Sequence, residues 1–237
     1  MMPIQKGDFI LLDYTAKIEE TGKVFDTTLE DVAKNEKMYK EGTTYEPFFV
    51  VVGEGWLLKG LDEQLVGLEL NKEVDTKIPP EKGFGVRDPK KIKLIPLRYF
   101  RDTIPRPNME IDINGKIAVV RAVGAGRVQV DFNPQLAGKT LIYNVNVKKI
   151  VEDNKEKIAA LIHRRIPSVE IDKFQLKTTK EKVTIEIPNE AFYLEGIQFI
   201  KKGVANDIQK FFPNMNEVTF IERYTKETTT NASATPT

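Results

Sequence analysis

Residues 140–150, TLIYNVNVKKI, put Leu141, Tyr143, Val145 and Val147 at every second position. That is the period of a strand buried on one face only. The same pattern returns in short pieces throughout the chain, at DFILLDYTAKIE (8–19), NKEVDTKIP (71–79) and MEIDINGKIAVVRAVGAGRVQVDFN (109–133). A chain built this way needs antiparallel sheets with something packed against them, which places it in the α+β class. The longest unbroken apolar run is Phe48–Val52, far short of the roughly 20 residues a membrane helix needs. No bilayer span is expected. At 41% hydrophobic and 30% charged residues, the chain has enough apolar material for a core and is not a disordered polymer. The start, MMPIQKGDFILLDY, has no basic stretch followed by a sustained apolar one, so no secretory signal is read and a cytoplasmic location is expected.

Zero cysteines exclude disulfides, thiolate metal sites and thiol nucleophiles. The one histidine, His163, cannot build a histidine metal site. In AALIHRRIP it reads as a cation near a helix end, where it complements the helix dipole.

Between the strands the text supplies turns and a few helices. Thr21-Gly22-Lys23 closes a hairpin onto Val24-Phe25. Residues 29–46 form a polar excursion with one helical turn, and PFFVVVG reads as a buried strand stopped at Gly53. Leu58, Leu61, Leu65 and Leu68 fall at helical spacing and predict an amphipathic helix over 57–68. Pro79-Pro80 ends the strand at 71–79. Asn114-Gly115 and Gly124-Ala125-Gly126 are hairpin turns separating three strands. Beyond residue 155 the order is helix, hairpin (173–187), helix (197–211) and strand (217–224), with Asn154 as the expected N-cap of the first helix. The tail 227–237 is polar and is expected to be disordered.

The net charge of +1 conceals a division. Residues 1–85 hold 10 Lys/Arg against 17 Asp/Glu, a net of −7, while residues 86–137 hold 10 against 5, a net of +5. A basic segment of that density is either a solvated face or an attractor of acidic partners or nucleic acid.

Three constellations carry chemistry when taken in order. The first is Tyr14 in LDYTAKIEETGKVFDTT with Phe25-Asp26, the second is PFFVVVGEGWLLKGLDEQLVGLE, and the third is GFG at 83–85; the strand AGKTLIYNVNVKKI follows after an interval. Singly, Tyr14 reads as a packing residue and Asp26 as a turn cap. Together they resemble the FKBP-type peptidyl-prolyl cis-trans isomerases. About 50 residues separate Phe84-Gly85 from the closing strand, which resembles the insert-in-flap domain of the SlyD-like subgroup. The segment NPQLAGKTLIYNV matches the return from that insert. Length past residue 155 is similar to the long archaeal members with an extra C-terminal domain.

The resemblance implies a discontinuous isomerase domain (1–85 and 138–152), an insert-in-flap chaperone domain (86–137) and a C-terminal α+β domain (153–226). The fold implied is an FKBP-type antiparallel sheet wrapped on a short helix. It assigns the prolyl pocket to Tyr14, Phe25, Phe48, Leu57, Leu58, Leu61, Phe84 and Tyr143, with Leu136 from the insert's return. Asp26 would stand beside the carbonyl being twisted, and the Leu58 N–H would hold the carbonyl after proline. The pocket floor, often Trp in short members, is Leu61, and the flap residue often occupied by Tyr is Phe84, so weaker macrolide binding is expected. In the insert, Leu94, Leu97 and Tyr99 are expected to remain partly exposed as a client surface. The partners implied are unfolded or nascent chains with X-Pro bonds. Dimerisation and a second client surface both stay open for 153–226. The histidine-rich metal-binding tail of some bacterial relatives is absent, so no metal or cofactor is expected. Two other readings remain: a client- or ribosome-binding module with weak or lost isomerase activity, and a nucleic-acid-associated factor drawn by the basic insert.

Overall fold

Ten residues of strand, β1 (Phe9–Ile18), organise the first half of the molecule. In the computed structural model, which describes residues 3–100 and 103–225, the chain divides into one unit ending at Ile150 and a second beginning at Val151. The tail at 227–237 lies outside the described residues.

β1 pairs antiparallel along its whole length with β9 (Leu141–Ile150), from Ile10 opposite Ile150 to Ile18 opposite Leu141. Its other edge is shared by two short strands. β3 (Phe48–Val51) takes Phe9–Leu12, and β2 (Val24–Thr27) takes Thr15–Lys17. β4 (Glu73–Ile78) completes the sheet on the far side of β9. Alternation sends Ile10, Leu12 and Ala16 of β1, and Leu141, Tyr143, Val145 and Val147 of β9, into one buried face. A short helix α1 (Glu30–Asn35) follows β2. Helix α2 (Lys59–Leu65) lays Leu61 and Leu65 on the sheet, each burial worth on the order of 1.5–3 kcal/mol. A Cβ on Gly60 would stand 2.8 Å from Ile78 Cγ2 and 2.9 Å from Lys82 Cβ, so glycine permits the close approach of α2 to β4. The helix stops short of Leu68. Val66 is extended and Gly67 turns at φ +90°, because this segment hydrogen-bonds with Ile4 in both directions instead of continuing the helix.

Residues 86–137 carry a separate four-stranded antiparallel sheet in the order β5-β8-β7-β6. Its strands are β5 (Ile92–Pro96), β6 (Glu110–Ile113), β7 (Lys116–Gly124) and β8 (Arg127–Asp131). Ile111, Ile113, Ala118, Val120, Val128 and Val130 give it its own core. Asn114 and Gly115 both have positive φ, as a tight two-residue hairpin turn requires. β5 is the strand the sequence did not announce. Its place at the edge explains why Pro96 is tolerated, since a missing N–H there costs no central ladder bond.

The insert leaves and returns through one buried clasp. The Asp131 side chain is fully buried and forms ion pairs with Arg87 and with Arg121. It also accepts hydrogen bonds from the Asn133 backbone N–H at 2.9 Å and from Asn133 Nδ2 at 2.7 Å. Asn133 Oδ1 accepts from the Asp88 N–H at 2.9 Å, and the Gly138 N–H donates to the Gly85 carbonyl at 2.8 Å. Outgoing and incoming chains are thereby joined where β4 and β9 already lie side by side.

The second unit begins with α3 (Asn154–Arg165). Its N-cap is Asp153, whose carboxylate accepts from the Glu156 N–H at 2.9 Å; the expected cap Asn154 is already helical. His163 lies in the last turn with Arg164 and Arg165. β10 (Gln175–Thr178) and β11 (Lys182–Ile187) form the hairpin, followed by α4 (Asn189–Phe192) and α5 (Ile197–Phe211). β12 (Glu217–Glu222) returns parallel to β11. Arg165 Nε donates to Asp207 at 2.6 Å, tying α3 to α5. A Cβ on Gly203 would lie 2.6 Å from that guanidinium.

Among the described residues, no helix is long and apolar enough to cross a membrane.

Candidate active site

A break in the β1–β2 ladder sets the geometry of the site. Ala16 pairs with Asp26 and Lys17 with Val24, leaving Phe25 as an extra residue on β2. Strict alternation would send Phe25 and Asp26 to opposite faces, whereas a bulge re-aims a side chain and lets neighbours serve one surface. Asp26 Oδ2 accepts the Tyr14 hydroxyl at 2.8 Å. The Phe25 ring stands edge-on to Tyr143 at 6.1 Å and to Phe84 at 6.4 Å.

Tyr14 is the hub. Its ring lies 5.7 Å from Tyr143, across the β1–β9 pairing, and 6.3 Å from Phe48, which it meets edge-on. The backbone beneath it is latched to the end of β2. The Tyr14 N–H donates to Thr28 Oγ1 at 2.9 Å, and the Tyr14 carbonyl accepts from the Thr28 N–H and from Thr27 Oγ1, both at 3.0 Å. Leu57 and Leu58 are half-buried against the same cluster, and Leu61 of α2 is buried beneath it. Phe84 follows a 3-10 turn at Pro80–Lys82, keeps 39% of its surface exposed and stands at the rim of the ring cluster beside Phe25.

The loop carrying Trp56, Leu57 and Leu58 is held by Asp62, which accepts the Gly53 N–H at 2.8 Å and the Gly55 N–H at 3.0 Å. Asp62 is 92% removed from solvent, its exposure being 8%. These two charge-assisted hydrogen bonds compensate its burial. Asp62 and the Thr27–Thr28 pair are supporting residues that motif reading passed over. The signal available was Gly53 and Gly55 placed upstream of an acid in the first turn of a helix.

Every residue assigned to the pocket core therefore converges: Tyr14, Phe25, Asp26, Phe48, Leu57, Leu58, Leu61, Phe84 and Tyr143. Leu136 is half-buried in the turn whose Gly138 bonds to Gly85, next in sequence to Phe84. Leu94, Leu97 and Tyr99 belong to the insert's β5 and the turn after it, away from this cluster in the fold's sheet order.

Burial, reinforced by Asp26, pushes the Tyr14 phenol well above the ordinary tyrosine range, and burial with Asp26 does the same for Tyr143. Tyr14 thus stays protonated as a donor to Asp26 through neutral pH. A phenol whose pKa rises on folding stabilises the native state fully below its ordinary value of about 10, and that contribution is lost as pH climbs above it. In an alkaline titration followed by tyrosinate absorbance, Tyr14→Phe is expected to remove a transition lying above the ordinary range. Loss of a transition within the ordinary range would show that Tyr14 is not buried against Asp26.

Chemically the site is an apolar cleft of rings with one carboxylate and one N-cap backbone, that of Leu58, at its edge. It suits an apolar ring with a carbonyl on either side. Among the described residues, no group of three or more His, Asp or Glu side chains is placed to hold a metal ion.

Comparison with known proteins agrees with that geometry. Residues 2–148 match the family model described as FKBP-type peptidyl-prolyl cis-trans isomerase, and residues 154–225 match one described as FKBP26_C-terminal. The chain is 40% identical over 149 residues to the short-type peptidyl-prolyl cis-trans isomerase of Methanocaldococcus jannaschii, covering 62% of this chain and 94% of that protein. It is 26% identical over 154 residues to an FKBP-type 16 kDa peptidyl-prolyl cis-trans isomerase of Escherichia coli, covering 62% and 93%. To the SlyD isomerase of Aeromonas hydrophila it is 29% identical over 165 residues, covering 67% and 69%. The chain belongs to the FKBP-type peptidyl-prolyl cis-trans isomerase family.

Proposed function

We propose that the Tyr14–Tyr143 cleft takes the proline ring of unfolded chains while the insert captures those chains, so that isomerisation and holdase activity act on one client. The convergence of Tyr14, Phe25, Phe48 and Tyr143 about an Asp26 carboxylate hydrogen-bonded to Tyr14 at 2.8 Å carries this reading. Rotation about X-Pro is slow because resonance holds the amide planar, with a barrier of about 18–20 kcal/mol. A cleft that strips water from the amide favours the twisted, less dipolar state, and no bond is made or broken. In this scheme Leu57, Leu61, Phe84 and Leu136 enclose the ring, Asp26 shapes the field at the twisting carbonyl, and the Leu58 N–H holds the carbonyl after proline. Lowering the barrier by about 4 kcal/mol accelerates rotation roughly a thousandfold.

On the insert, Leu94 is 60% exposed, Leu97 41% and Tyr99 54%. Apolar exposure along β5 and the turn after it supports a binding role for this segment. Leu97→Glu is expected to impair suppression of aggregation of a denatured client several-fold, with tetrapeptide turnover close to that of the parent chain. Unchanged suppression would remove Leu97 from the client surface. For 153–226 we propose self-association, since Tyr193 and Phe199 stand 86% and 84% exposed.

A further inference from the structure

The insert holds a cavity of about 590 Å³, within the roughly 300–1,000 Å³ typical of ligand-sized sites. Ile95, Ile113, Phe132 and Tyr99 supply its apolar lining. Four lysines, Lys90, Lys91, Lys93 and Lys116, are among its lining residues, and among the described residues no Asp or Glu lines it. Lys93 and Ile95 share a face of β5, so Leu94 points to the opposite face and Tyr99 alone among the expected client residues belongs to this cavity. The Tyr99 hydroxyl donates to Asn114 Oδ1 at 3.2 Å, which fixes one wall.

We infer that this cavity selects polypeptide segments in which apolar residues alternate with Asp or Glu, a refinement that rests on the capture role proposed above. The lysines are brought together by the pairing of β5 with β8 and of β8 with β7. Like charges held around one cavity repel each other until an anion enters. An apolar side chain from the client fills the lining while neighbouring carboxylates meet the ammonium rim. The same carboxylates are disfavoured along residues 1–85, whose net charge is −7. Charge therefore sorts the client, holding acidic stretches on the insert and leaving other X-Pro segments free to reach the Tyr14 cleft. A nucleic acid is the poorer fit. Bases stack on open aromatic faces, but Lys93 Nζ sits 5.7 Å over the Phe132 ring, Tyr99, though exposed, is a single ring tied through its hydroxyl to Asn114, and among the described residues no arginine lines the cavity.

The test uses the full chain and three fluorescent peptides with one apolar frame and Glu, Gln or Lys at alternate positions, together with an oligouridine competitor. The Glu peptide is expected to bind about tenfold more tightly than the Gln peptide, as two or three screened charge contacts would produce. The Lys peptide should bind more weakly than the Gln peptide. Raising ionic strength from about 0.05 M to about 0.5 M shortens the Debye length to a few ångströms and should erase the Glu preference. Lys93→Gln with Lys116→Gln should erase it too, leaving tetrapeptide turnover at the Tyr14 cleft and the far-ultraviolet circular dichroism unaltered. Equal binding of Glu and Gln peptides would overturn the selectivity while leaving client capture intact. Failure of all three peptides to bind would overturn capture itself, and with it the refinement. Oligouridine displacing the Glu peptide more tightly than a second peptide does would assign the lysines to nucleic acid and overturn the inference.

Discussion

Asp26→Ala is expected to slow catalysed isomerisation of a proline tetrapeptide by roughly one to three orders of magnitude, about 1.4–4 kcal/mol of transition-state stabilisation. Tyr143→Ala should fall in the same range for a different reason. Asp26 accepts the Tyr14 hydroxyl of the ring cluster at 2.8 Å; removing it changes the field in the cleft and leaves the rings in place. Tyr143 is 5% exposed and touches both Tyr14 and Phe25, so its removal opens the cleft to water and weakens the solvent substitution on which rotation depends. Asp26→Asn separates the two effects by keeping shape and losing charge. Suppression of client aggregation should persist in Asp26→Ala, because the insert's surface is untouched. A tetrapeptide rate equal to that of the parent chain would remove Asp26 from the mechanism.

Deleting residues 86–137 and joining the ends by a short turn is expected to leave a folded isomerase domain. Ile78 pairs with Leu141, and the Gly138 N–H bonds to the Gly85 carbonyl, so the excised ends already meet. All of the main core, from Ile4 to Val147, is retained. Tetrapeptide turnover should stay within a factor of a few. Catalysis of refolding of a permanently unfolded, proline-limited protein should drop by about two orders of magnitude, since under the proposed capture role tethering at the insert would supply a local concentration far above that of free client. Equal losses on the two substrates would mean that a single surface serves both.

The strands β1 and β9 and the α+β class were legible in sequence because alternation such as that at Leu141, Tyr143, Val145 and Val147 buries one face of a strand; that these two strands pair is seen only in the structure. The shared aim of Phe25 and Asp26 was not, because alternation separates them and a bulge is invisible until the partner strand is known. Resemblance to the family supplied the pair; the ladder between β1 and β2 supplied the reason. β5 was obscured by Pro96, whose tolerance depends on an edge position that only the sheet order reveals. Helix α2 was overextended because Leu68 keeps helical spacing while Gly67 and the contacts with Ile4 end the helix earlier. Lys90, Lys91, Lys93 and Lys116 were legible as charge and not as a site, since sequence separation hides that β5, β7 and β8 bring them around one cavity.

The most direct test of a two-site molecule is amide chemical-shift mapping on the isotope-labelled full chain during titration with an unfolded, proline-containing client. Two separate sets of shifts are expected, one on the insert around Ile95, Leu97 and Tyr99 and one around Tyr14, Phe25 and Tyr143, with a proline-free client moving only the first. Shifts confined to the Tyr14 cleft with either client, or a proline-free client that moves both sets equally, would contradict the division between capture and catalysis.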